Sequence, residues 1–186
     1  MIRRIALTIA AAALVAAAAQ IPRSAPDVTI NLNGGKRLQL SAYKGKPVVL
    51  AFILTTCSHC QATTGLLSKL QAEFGPSGLQ VIESAIDQGA EAFVPRFIQT
   101  FNPPFPVGFN DYTVAQDFTQ HSPAKVMSMP LVVFIDRQGN IVAQNEGGDP
   151  EMVQGVQEQH LRAQIEKLLK PAAARAPGKA AAKKKQ

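Results

Sequence analysis

Two side chains in this sequence can form and break a covalent bond with each other. Cys57 and Cys60 are its only cysteines, two residues apart in "LTTCSHCQATTG". A thiolate attacks a disulfide sulfur to give a mixed disulfide, and a second thiol one helical turn away resolves it. That spacing therefore suits thiol-disulfide exchange. His59, between the two, can supply positive charge or a hydrogen bond to the same thiolate. Two other uses compete. A structural bridge between Cys57 and Cys60 would close a loop too short to stabilise the fold much. A zinc site needs two further ligands, and His121 and His160 are isolated singletons for which surface or capping roles are expected.

What positions the pair is legible around it. "GKPVVLAFIL" is a continuous apolar run of strand length, the pattern of a strand buried on both faces, and a helical stretch follows from Cys57 to Phe74 with Leu66, Leu67 and Leu70 inward. A strand running into a helix puts Cys57 at the helix N-terminus, where free N–H groups and the dipole favour an anion. The expectation is a Cys57 thiol below the usual ~8.5 and acting as the nucleophile, with Cys60 beneath it. Stabilising the thiolate stabilises the reduced pair, which makes the disulfide form more oxidising.

The remaining pattern reads as a hairpin in "DVTINLNGGKRLQLS" turning at Gly34 and Gly35, a strand in "GLQVIESAI", and a helix in "AEAFVPRFIQTF" kinked at Pro95. After it come a short extended piece in "FPVGFN" and a short helix from Tyr112 to Phe118. A hairpin turns at Gln138 and Gly139, and a last helix runs from Asp149 and Pro150 to about Lys170. Strands alternating with helices imply an α/β fold, a mixed sheet with helices on both faces.

The ends differ from the middle. Residues 1–19, with Arg3 and Arg4 before an uncharged Ala-rich stretch and small residues at Ala17 and Ala19, read as an export signal cut before Gln20, with a membrane anchor as the other reading. Residues 171–186 are Ala, Pro and Lys with nothing to bury, and disorder is expected there. Arg3, Arg4, Arg175, Lys179, Lys183, Lys184 and Lys185 together exceed the whole chain's net charge of +6, so the segment between is one charge negative. The folded part, residues 26–170, offers no basic face for nucleic acid, and membrane contact is left to the N-terminal segment or the basic tail.

The junction "GKPVVLAFILTTCSHC" and the segment "SMPLVVFIDRQGNIV", with the helix, strand and helix between them, resemble the thioredoxin-like proteins, in the exported TlpA/ResA branch of thiol-disulfide oxidoreductases. The resemblance implies a thioredoxin-like fold with an N-terminal β-hairpin, Cys57 and Cys60 as catalytic residues, and His59 as a tuner of the thiolate. It implies that Pro130 is cis and faces the cysteines, and that Met129 offers backbone to an extended substrate. It further implies a monomer without cofactor or metal, periplasmic or otherwise extracytoplasmic, acting on cysteines of other exported proteins and on a redox partner.

The sequence departs from that family at four positions. Thr56 stands for the tryptophan before the first cysteine, and Gly65 for a helix proline. Ala51 replaces the buried acid that takes the second thiol's proton in thioredoxins, and Thr63 replaces the glutamate that ResA-like reductases use. Glu83 on the neighbouring strand is a substitute, with an exposed or edge position the other reading. Two further classes are carried. A peroxiredoxin-like peroxidase wants threonine or serine three before its cysteine, where Leu54 stands. A copper-binding module would use Cys57, Cys60, His59, Met127 and Met129 as soft ligands, though methionines beside that proline are expected to pack.

Overall fold

The computed structural model describes residues 20–170; both the expected signal, 1–19, and the expected tail, 171–186, lie outside them. Strand β4 (Val48–Ile53) is buried along its whole length, as its unbroken apolar run requires. It lies between β5 (Gln80–Ala85), parallel, and β7 (Leu131–Ile135), antiparallel. With β1 (Arg23–Ser24), β2 (Thr29–Asn31), β3 (Arg37–Gln39), β6 (Val107–Phe109) and β8 (Asn140–Glu146), they form one mixed sheet ordered β1-β8-β7-β4-β5-β6-β2-β3.

Alternate residues of each strand face opposite layers. Val49, Ala51, Ile53, Val81 and Ala85 face α1 (Ser58–Phe74), α2 (Ala90–Phe101) and α4 (Gln157–Leu169), through Leu67, Leu70, Val94, Phe97, Leu161 and Ile165 among others. Val48, Leu50, Phe52 and Ile82 face the β2–β3 hairpin and α3 (Tyr112–Thr119), where the Phe52 and Phe118 rings meet edge to face at 5.6 Å. Helices therefore cover both faces.

One local expectation changes. The last helix does not start at Asp149. Pro150–Met152 form a single 3-10 turn, Val153 is extended, and Gly155 takes a φ of 100°, so the α-helix begins only at Gln157. A left-handed backbone is compatible with glycine and stops helix propagation. Pro95 lies within α2 without ending it. Among the described residues no helix is long and apolar enough to cross a membrane.

Candidate active site

Between the end of β4 and the start of α1 the chain must turn within a few residues, and its polar groups are held almost individually. Cys57 N–H donates to the Leu54 carbonyl at 3.1 Å. The other end of that peptide unit, the Thr55 N–H, donates to both carboxylate oxygens of Asp87 at 3.0 and 2.9 Å, and the Thr55 hydroxyl to Asp87 at 3.1 Å. The Thr55 carbonyl accepts from Gln61 Nε2 at 2.9 Å. Both peptide planes preceding the turn's exposed residue, Thr56, are thus anchored to α1 or to the loop after β5.

Cys57 caps α1, and its half-buried sulfur accepts the Cys60 N–H at 3.4 Å. Cys60 is fully buried in the core, and its sulfur accepts the Leu54 N–H at 3.4 Å. Burial drives the Cys60 thiol far above its ordinary range, with Cys57 and Glu83 adding to the rise. The pair is thus asymmetric, one sulfur reachable and one sealed, which the two-residue spacing predicts.

His59 is exposed on the first turn of α1, lining a groove of about 380 Å³ opposite Gln154 and Glu158. No hydrogen bond among the described residues joins its imidazole to either sulfur. Met129–Pro130 is a cis peptide. Phe52 pairs with Leu131, so the register carries Pro130 level with the end of β4, beside the turn that bears Cys57. Met129 and Cys57 border the same core cluster. Gly147 N–H holds the Ser128 carbonyl at 2.8 Å, and a Cβ at Gly147 would collide with the Met129 carbonyl, so only glycine lets β8 approach this loop.

Glu83 is neither exposed nor on an edge. It sits in the middle of β5, fully buried, directly beside Ala51 in the β4–β5 ladder. It shares its face with Val81 and Ala85, the face that packs against Cys60. Neither of its carboxylate oxygens has a hydrogen-bond partner among the described residues. Burial pushes the carboxyl up to about 8, and the nearby Thr64 hydroxyl spends its proton on the Cys60 carbonyl at 3.1 Å. The signal was present as the one acid in the apolar run "GLQVIESAI", because a charge is almost never buried without a reason.

Thr63, at the family's glutamate position, is also buried, but it makes neutral bonds, donating to the His59 carbonyl and accepting from Gln157 Nε2, both at 2.8 Å. Asp87, which holds Thr55, has no local signal in the sequence. Met127 packs in the core beneath the loop. His121, expected at the surface, is instead largely buried and paired with Glu146 at 2.9 Å, while His160 bonds Asn145 at 2.9 Å.

Comparison with known proteins agrees with this geometry. Residues 21–144 match the AhpC/TSA family. A thiol-disulfide oxidoreductase ResA of Oceanobacillus iheyensis is 32% identical over 104 residues, covering 56% of this chain and 51% of that protein. A ResA of Bacillus cereus is 27% identical over 66% of this chain and 68% of its own. The match thus spans about half of the first relative's length and about two thirds of the second's. Among solved structures, a thiol:disulfide interchange protein of the thioredoxin family from Chlorobium tepidum superposes with a TM-score of 0.66 at 18% identity, over 80% of this chain and 97% of that one. The fold is thioredoxin-like.

Proposed function

Because the chain belongs to the AhpC/TSA family and carries its cysteine pair on a thioredoxin-like fold, we propose that it is a thiol-disulfide oxidoreductase working on cysteines of exported proteins. The observation that carries this reading is the asymmetry of the pair: a capping, reachable Cys57 that accepts the Cys60 N–H, above a sealed Cys60. The Cys57 thiolate attacks a substrate disulfide, forming a Cys57–substrate disulfide and releasing one substrate thiolate, which takes a proton. Cys60 then loses its proton and attacks the Cys57 sulfur, releasing the second substrate thiol and leaving a Cys57–Cys60 disulfide. Two electrons pass to the substrate; run backwards, the same steps oxidise a dithiol.

The second step requires a sealed thiol to give up its proton. Glu83 is the acid that the Ala51 position lacks, supplied from the adjacent strand. A carboxyl near 8 exchanges a proton in the range where thiols react, which an ordinary glutamate does not. His59 stands on the outer side of the pair, and the Met129 backbone beside Pro130 offers an edge for an extended substrate. At the position where a peroxidase would want a hydroxyl, Leu54 has none.

Export rests on the signal-like pattern of residues 1–19, with the mature chain beginning at Gln20 and acting as a monomer together with a redox partner. N-terminal sequencing of the processed protein tests the cut. The activity is tested by a Cys60→Ser variant, which should trap substrate proteins as mixed disulfides through Cys57. Rapid peroxide turnover by the wild type with no trapped partner would replace this reading.

A further inference from the structure

A second groove, of about 730 Å³, opens on the other flank of the cysteine turn, between Thr55–Thr56 and the outer side of α2. Its floor is aromatic: Phe97 and Phe101 lie with ring centroids 4.7 Å apart. Phe93, on the same helix, leaves 48% of its surface exposed. Arg96 is the only charged side chain lining the groove, is exposed, and forms no salt bridge with any described residue.

The position of the groove matters as much as its lining. In the sheet order, β4 stands between β7, which follows Met129–Pro130, and β5, which leads into α2. The groove therefore lies across Cys57 from Met129, and Thr56, the residue before the nucleophile, is part of its wall. A substrate strand paired to Met129 and crossing Cys57 continues into it within two or three residues at ~3.3 Å each.

We infer that this groove is a specificity subsite for the segment flanking the substrate's cysteine, one that carries an aromatic or large aliphatic side chain and a carboxylate. The apolar side chain packs on Phe93, Phe97 and Phe101, and the carboxylate pairs with the Arg96 guanidinium. The inference rests on the oxidoreductase reading and names which substrates it selects.

The test uses the reduced full-length protein and oxidised two-cysteine peptides that differ only in carrying Phe-Glu or Phe-Lys two to three residues from a cysteine. Bis(2-hydroxyethyl) disulfide, neutral and too small to reach the groove, is the reference. The Glu peptide should react faster than the Lys peptide by about fivefold at low salt, and the gap should close at high salt. Arg96→Glu should reverse the preference, Phe93→Ala should slow both peptides several-fold, and both variants should keep the wild-type rate with the small disulfide. Equal rates for both peptides, or a preference that survives Arg96→Glu, would overturn the subsite. So would a shift from dimer to monomer in Phe93→Ala on sedimentation, which would make a second copy the occupant. Failure of the wild type to react with the small disulfide would instead remove the oxidoreductase reading itself, and the subsite with it.

Discussion

Glu83 sits directly across the β4–β5 ladder from Ala51, so the acid missing from one strand is present one strand over, on the face that packs against Cys60. Its burial in β5 raises its carboxyl to about 8, and its charge adds a smaller part to the rise that burial gives the Cys60 thiol. In the proposed mechanism an ionised Glu83 accepts the Cys60 proton, and the released thiolate attacks. In wild type, resolution of a Cys57 mixed disulfide should therefore accelerate as pH rises through about 8. Glu83→Gln should slow that step by at least about tenfold near pH 8 and move its rise to higher pH, since only the Cys60 thiol then titrates. Rapid-quench kinetics of a preformed mixed disulfide read this directly, and an unchanged profile would remove Glu83 from the mechanism.

The same carboxyl sets a stability slope. Its folded value lies above the ordinary 4.5, so between about 4.5 and about 8 the folded state holds a proton that the unfolded chain has lost. Stability therefore falls as pH rises through that window, by up to ~1.4 kcal/mol per unit. Urea midpoints at pH 5 and pH 8 should drop in wild type by more than in Glu83→Gln, in which this contribution is gone.

Alkylation order separates the two sulfurs. In the reduced native protein, iodoacetamide should label half-buried Cys57 at least about tenfold faster than fully buried Cys60, which becomes reactive only on unfolding. Peptide mapping by mass spectrometry gives the order. Earlier modification of Cys60 would reverse the assigned roles.

The loop before β7 depends on a missing side chain. Gly147→Ala places a methyl group against the Met129 carbonyl, forcing the loop or the end of β8 to move. The expected result is a loss of ~1–3 kcal/mol in stability and slower exchange with peptides, with a smaller change for bis(2-hydroxyethyl) disulfide, which does not pair with the loop backbone. Denaturant titration and the two exchange rates check it.

Much of this was readable along the chain because it is local. The unbroken apolar runs at Val48–Ile53 and Leu131–Ile135 mark strands buried on both faces, and the step from the first into a helix puts Cys57 at a cap. The two-residue spacing alone places Cys60 one turn inward, and both hairpins show in their glycines, Gly139 with a φ of 83°. Asp149-Pro150 is a good start signal for the last helix, yet the helix begins only at Gln157, because the left-handed backbone at Gly155 is not encoded in any short motif.

By itself the sequence determined the strand–turn–helix unit, the place of Cys57 at the helix cap with Cys60 one turn inward, and the mixed α/β class, all of which follow from residue periodicity and capping within a dozen positions. Only the tertiary structure decided what surrounds the sulfurs. Glu83 is buried because β5 lies between β4 and β6, and a strand's place in a sheet is set by pairing with distant segments rather than by its own residues. Asp87 reaches Thr55 across 32 positions, and His121 is buried because β8 brings Glu146 to it. The groove beside Thr56 exists because α2 returns over the sheet with Phe93 and Arg96 left outward. Such contacts depend on how layers pack, and chain-local patterns carry no record of which distant surface a given side chain will meet.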